Sequence, residues 1–261
     1  MREAEIVADR DLLAKAALAA GRIARRHFGQ GPQVWDKGDG QGPVTAADLE
    51  IDAMLRAELM AARPGYGWLS EESTDHPERL ARGRVFVIDP IDGTRAFIAG
   101  EDTFSHSLAI VEDGVPIAAA VHLPMKNRLY SAGSGLGATR DGRPIAPTGR
   151  DRLDGADVLG TKVNFQERHW KDGPPPVTRH FVSSLAFRLA LVAEGRFDAM
   201  ITLRDAWEWD IAAGALLVTE AGGLAQTRRG AALRFNNVHP QVDGVVAGTR
   251  AVQAALLAHL A

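Results

Sequence analysis

The 261-residue sequence contains no cysteine. This excludes disulfides, thiolate metal sites and cysteine nucleophiles together, and it fits a reducing compartment. No apolar run approaches the roughly 20 residues that span a bilayer. The opening Met1-Arg2-Glu3-Ala4-Glu5 is charged and acidic, unlike a secretory leader. These features predict a cytoplasmic protein with no membrane association. An excess of basic charge is also missing: 30 lysines and arginines against 33 aspartates and glutamates leave a formal net charge of −3. With no basic stripe interleaved with aromatics, a nucleic-acid polymer is not an expected partner. An anionic ligand would have to be held locally, by metal ions, helix N-termini or a few arginines. There is no internal repeat and no low-complexity tract.

What is present suffices for a core. Hydrophobic residues make up 46% and charged residues 24%, as in ordinary globular proteins, and the length suits one large domain or two small ones sharing an interface. Residues 12–28 set Leu13, Ala17, Ala20, Ala24 and Phe28 on one helical face, ended by Gly29 and Gly31-Pro32. A polar, glycine-rich stretch covers 37–42. A second helix starts near Thr45 to Asp48, carries Ile51, Leu55 and Leu59, and stops before Pro64-Gly65. Strands are predicted at 68–69, 85–88, 107–111, 117–121 and 129–131, with turns at Glu112-Asp113-Gly114 and Asp141-Gly142. From about Asp151, helices over 184–193, 210–221 and 251–260 alternate with short strands, and Gly173-Pro174-Pro175-Pro176 reads as a surface excursion. The expectation is an α/β protein: an α+β half over 1–150 and an α/β half over 151–261, forming one functional unit.

The most informative peptide runs Val85-Phe86-Val87-Ile88-Asp89-Pro90-Ile91-Asp92-Gly93-Thr94. An apolar strand delivers Asp89 at its end, Pro90 turns the chain, and Asp92 returns close to Asp89. Two carboxylates so placed repel unless a cation lies between them. The N–H groups of Gly93 and Thr94, if they open a helix, would face an anion such as phosphate. Alone, the same residues are also ordinary turn chemistry. Three further acidic segments accompany them: Glu71-Glu72 after a short strand, Asp210 after Trp207-Glu208-Trp209 as an N-cap or first-turn residue, and Asp48 near a helix start. Each has a bland reading by itself, as solvated surface or helix capping.

Taken jointly, the segments Pro43-Val44-Thr45-x-x-Asp48, Glu71-Glu72-Ser73, Asp89-Pro90-Ile91-Asp92-Gly93-Thr94, Trp209-Asp210-x-Ala212-Ala213-Gly214 and Glu220-Ala221-Gly222-Gly223 resemble the inositol-monophosphatase superfamily in order and approximate spacing. The resemblance spans about residues 22–248. It implies a layered αβαβα fold, with the metal site between the two halves and most metal ligands in the first. It implies an Mg2+-dependent phosphomonoesterase with two to three ions per site. Glu71, Asp89 and the Ile91 carbonyl would hold one ion, Asp89, Asp92 and Asp210 a second, and Glu71 a third, weaker one. All-oxygen ligands suit such a hard cation. Water activated by the metal would attack phosphorus in line, with Thr94 and Asp48 relaying its proton and Gly93 and Thr94 meeting the phosphate. The family also implies lithium sensitivity and, often, a homodimer. His106, His122, His180 and His239 read as structural or exposed.

Inositol monophosphatases usually carry a glutamate seven residues before the last metal-binding aspartate; here that position is Leu203. Leu69-Ser70-Glu71-Glu72-Ser73, Asp92-Gly93-Thr94-Arg95-Ala96-Phe97-Ile98 and Ser183-Ser184-Leu185 instead resemble the 3'(2'),5'-bisphosphate nucleotidase branch. That branch often has a lysine where Ala186 stands, and Arg188 could replace its charge. The expected substrate is adenosine 3',5'-bisphosphate, with Ser184 and Arg188 as contacts. Inositol 1-phosphate, histidinol phosphate and a fructose bisphosphate are alternatives, and a non-catalytic phosphate-binding regulator is the alternative of a different class.

Overall fold

The computed structural model describes residues 2–38 and 42–261; of the glycine-rich stretch, residues 39–41 lie outside the described residues. Six α-helices are found among the described residues: α1 (Arg2–His27), α2 (Ala46–Ala62), α3 (Thr94–Ile98), α4 (Leu185–Ala193), α5 (Glu208–Glu220) and α6 (Arg250–His259). None is long and apolar enough to cross a membrane.

A seven-stranded sheet organises the first half. Its strands lie in sequence order: β3 (Gly67–Ser70), β4 (Arg84–Asp92), β5 (Ser105–Glu112), β6 (Val115–Leu123), β7 (Arg128–Gly133), β8 (Gly137–Arg140) and β9 (Arg143–Pro144). Only β3 and β4 pair in parallel. Before it, β1 (Val34–Asp36) and β2 (Pro43–Thr45) form a small antiparallel ribbon. Asp113 and Gly114 both take positive φ, as the tight turn between β5 and β6 requires.

The second half holds a five-stranded sheet in the order β11 (Thr178–His180), β10 (Asp157–Leu159), β12 (Ala199–Thr202), β16 (Val245–Gly248), β14 (Leu224–Gln226). A ribbon of β13 (Ala206–Trp207) and β15 (Gln241–Val242) accompanies it.

Strand alternation sorts the layers. On β4, Phe86 and Ile88 join Leu13, Ala17, Ile51 and Leu55 of α1 and α2, while Val85 and Val87 face the opposite cluster with Leu189 of α4 and Leu217 of α5. Met200, Val245 and Ala247 close that cluster from the second sheet. Val158, Ile201 and Val246 turn the other way, onto Val252 and Leu256 of α6. The result is the αβαβα order that the resemblance implies, with α4 and α5 shared by both sheets.

Three local expectations are corrected. The first helix begins at Arg2 rather than near Leu12. Its acidic start suits a helix N-terminus, and Ile6 and Asp9 continue the buried face of Leu13. Asp9 is buried because Arg63 and Tyr66 bond its carboxylate. Secondly, Pro90 does not end its strand. β4 runs through Asp92 with a bulge between Asp89 and Asp92, where a residue lacking an N–H is tolerated. Finally, α5 opens at Glu208 rather than at Asp210, which leaves Asp210 in the first turn, one of its two expected positions.

Candidate active site

The acidic residues arrive on elements fixed independently of one another. Glu71 follows β3, where its N–H bonds the Ile88 carbonyl at 3.2 Å. Asp89 and Asp92 flank the bulge in β4; His106 opposes the bulge and donates from Nδ1 to the Pro90 carbonyl at 2.5 Å. Asp210 projects from the first turn of α5, which is pinned to β5 by the Ser107 hydroxyl donating to the Trp209 carbonyl at 2.7 Å.

Ligand atoms of Glu71, Asp89 and Asp210 lie within 4.8 Å of one another. Asp89 Oδ1 is buried and has no hydrogen-bond partner. Burial, then the charges of Glu71, Asp92 and Asp210, push the Asp89 carboxyl well above its ordinary range. Burial, then Asp92 and Glu71, do the same for Asp210. An orphaned buried carboxylate oxygen among like charges is the environment a hard divalent cation relieves, and every donor present is oxygen. The residues fit such an ion.

Asp92 lies beside this trio but outside its tight cluster. Its Oδ2 accepts from the Ser184 hydroxyl at 2.5 Å and from the Ala186 N–H at 2.6 Å. Burial nonetheless raises its carboxyl to about 6. Ser184 is thereby committed: it caps α4 by accepting from the Phe187 N–H, contacts Ser105 and donates to Asp92, with no exposed surface. The structure gives it a carboxylate-orienting place rather than a free hydroxyl for substrate.

Thr45 and Asp48 form a capping box at α2, with the Thr45 N–H and hydroxyl both donating to Asp48 Oδ2. The other oxygen, Oδ1, stands 3.5 Å from the Thr94 hydroxyl, which donates to the Ile91 carbonyl at 3.1 Å. Burial lifts Asp48 to about 6. Thr94 is the first residue of α3 rather than its cap; Gly93 is the cap, at φ 99°, where a side chain would strain the backbone. Glu71, Asp89, Ile91, Asp92, Gly93, Thr94 and Asp210 thus share one cavity of about 570 Å3.

Arg188 is not a solvated helix arginine. It is buried on α4, donates to the carbonyls of Val182 and Ser183, and lies 4.6 Å from the Phe181 ring centroid. Burial lowers its guanidinium to about 10. It lines a second cavity, about 540 Å3, that adjoins the acidic one through Asp92, Ser183, Arg204 and Asp210. Arg168, His169 and Arg204 join it there. Among the described residues, neither Arg168, Arg188 nor Arg204 has a carboxylate within ion-pair distance.

Sequence reasoning missed Lys37, Arg168, Arg204 and Trp207. The Lys37 ammonium bonds Glu71 at 2.8 Å and Glu72 at 2.7 Å. Burial opposes its charge, but the two glutamates outweigh it and raise its pKa. Glu72, buried and beside Glu71, rises to about 8 against the pull of Lys37. A lone lysine in a glycine-rich stretch carries no local sign of such partners.

The sequence model of the inositol monophosphatase family matches residues 8–261. An inositol-1-monophosphatase of Mesorhizobium japonicum is 34% identical, over 95% of this chain and 94% of that protein. A histidinol-phosphatase of Chlorobaculum parvum is 31% identical, over 85% of this chain and 86% of its own length. Among solved structures, a Thermotoga maritima IMPase superposes with a TM-score of 0.80 at 28% identity, covering 99% of this chain and 96% of that one. With the layered fold, the acidic cluster and a match over nearly the full length, the chain belongs to the inositol monophosphatase family.

Proposed function

We propose that this phosphatase is a magnesium-dependent, cytoplasmic phosphomonoesterase whose preferred substrate is a 3',5'-bisphosphorylated nucleoside. Two to three Mg2+ would be held by Glu71, Asp89, the Ile91 carbonyl, Asp92 and Asp210. The observation that carries the metal reading is the unpartnered, buried Asp89 Oδ1 beside Glu71 and Asp210. A bound divalent cation supplies a water of lowered pKa at neutral pH and charge for the attacking and leaving oxygens.

The chain's own groups do the rest. Thr94, between the Ile91 carbonyl and Asp48 Oδ1, takes a proton from water and passes it to Asp48. A carboxylate with a pKa near 6 is a fitting acceptor close to neutrality. Gly93 and Thr94 meet the phosphate oxygens with their N–H groups, and Ser184 holds Asp92 in orientation.

The substrate reading rests on the second cavity. Three arginines without carboxylate partners beside Asp92 and Asp210 suit a second anionic group on the leaving side. Leu203, lining that cavity, accepts nothing from a polyol hydroxyl through its side chain. Inositol 1-phosphate is the second reading, favoured by the Mesorhizobium japonicum relative.

The test is phosphate release from adenosine 3',5'-bisphosphate, inositol 1-phosphate, histidinol phosphate and fructose 1,6-bisphosphate with Mg2+. A preference of about tenfold or more in kcat/KM, roughly 1.4 kcal/mol, for the nucleotide is expected. A preference for inositol phosphate overturns the substrate reading. No release from any ester overturns the enzymatic one in favour of a phosphate-binding regulator.

A further inference from the structure

In a regular strand, residues three apart point to opposite faces of the sheet. Asp89 and Asp92 are three apart on β4, yet both line the acidic cavity. The bulge makes this possible. Asp89 pairs with Ser107 and Asp92 with Ser105, so Pro90 and Ile91 together oppose the single residue His106. The extra residue returns Asp92 to the face that Asp89 occupies. At the bulge, the Pro90 carbonyl accepts from His106 Nδ1 at 2.5 Å.

His106 works from the other face of the sheet. It has no exposed surface, and Phe104 and Leu108 on either side of it belong to the core beneath α1 and α2. Its ring is boxed in. Phe104 stands edge-on at 6.3 Å between centroids, and His122, paired with it on β6, lies at 5.7 Å. His122 is itself tied to α1 through the Ala17 carbonyl. Among the described residues, His106 Nε2 is buried without a partner. A stranded ring nitrogen costs free energy that an apolar side chain in the same core would not. The bond to the Pro90 carbonyl is what the imidazole provides there and a leucine could not. A carbonyl only accepts, so Nδ1 carries the hydrogen.

We propose that His106 is a positioning residue of the metal site: its bond to Pro90 holds the bulge that sets Asp89, the Ile91 carbonyl and Asp92 around one cavity. This role rests on the metal-dependent phosphatase reading and adds to it a residue that touches neither ion nor ester. A peptide group is rigid, so a bond to the Pro90 carbonyl fixes the plane of the peptide joining Pro90 to Ile91. That peptide lies midway between the two aspartates. The proline ring fixes φ on one side of it. On the other, the Thr94 hydroxyl holds the Ile91 carbonyl at 3.1 Å. His106 supplies the constraint between them.

The test is the Mg2+ affinity of the metal-free chain, measured by calorimetric titration. It needs no substrate, so it does not depend on which ester is cleaved. His106→Leu fills the core without donating and is expected to raise the Mg2+ Kd about tenfold or more, as loss of a group orienting metal ligands does. His106→Asn can donate from nearly the position of Nδ1, and its Kd is expected to stay within about threefold of the wild type. His106→Phe keeps a ring without the donor and serves if His106→Leu does not fold. An unchanged Kd in the variant lacking the donor overturns the positioning role and leaves the metal reading standing. An equal rise in His106→Asn also overturns it, by tracing the effect to the packing of the ring. If the wild type binds no Mg2+, the metal reading fails first and the positioning role falls with it.

Discussion

At the scale of single residues, the site is a contest between burial and charge. Burial and the neighbouring charges of Glu71, Asp92 and Asp210 push the Asp89 carboxyl upward, and a bound cation would offset them. Asp89→Asn removes an expected shared ligand, so turnover should fall about a thousandfold or more. Near-wild-type phosphate release would sink the metal assignment. Ser184 acts through Asp92, so Ser184→Ala should lower kcat more than it raises KM, with about 1 kcal/mol of stability lost with the cap. A KM effect alone would return Ser184 to the substrate. Lys37 places a positive charge on Glu71 and Glu72. Lys37→Met should lower the Mg2+ concentration needed for half-activation, because a competing cation is gone. An increased requirement would show that Lys37 assists metal binding.

At the scale of elements, α1 meets β6 at very close range. A Cβ on Gly21 would stand 2.3 Å from His122 Cε1 and 2.7 Å from its Nδ1. Gly21→Ala should therefore cost about 1–3 kcal/mol in denaturant unfolding despite a better helix propensity. His122 donates to the Ala17 carbonyl across the same contact, and burial lowers its pKa to about 4. Its folded pKa lies below the unfolded value of 6.5, so the unfolded chain binds the extra proton. The stabilisation is complete above pH 6.5 and lost as pH falls towards 4. His122→Asn should flatten the stability–pH curve in that window by about 1.4 kcal/mol per pH unit. An unchanged slope would contradict a neutral buried imidazole.

At the scale of the whole molecule, the carboxylates come from both halves and the α4–α5 layer is common to both sheets. Mg2+ should bind the folded chain alone, raising stability by about 2.7 kcal/mol at a hundredfold excess over Kd. Heating should give one transition, which EDTA moves down and Asp89→Asn makes insensitive to Mg2+. Two separate transitions would make the halves independent domains. Much of this was legible in the sequence, for reasons that are local. The apolar run Val85-Phe86-Val87-Ile88 declared a strand. Asp113-Gly114 declared a turn, and the acidic peptides in order declared the family and its αβαβα layers. Other features depended on distance in the chain. Lys37 reaches Glu71 and Glu72, Ser184 reaches Asp92, and Arg188 goes under Phe181 only once the layers are stacked. The bulge at Pro90 needed His106 on the neighbouring strand. Residue type and period are carried by the chain itself, so they determined elements and candidate ligands. Which charge meets which, and which aromatic ring walls which cavity, was decided by tertiary packing, because those partners have no relation until the chain folds.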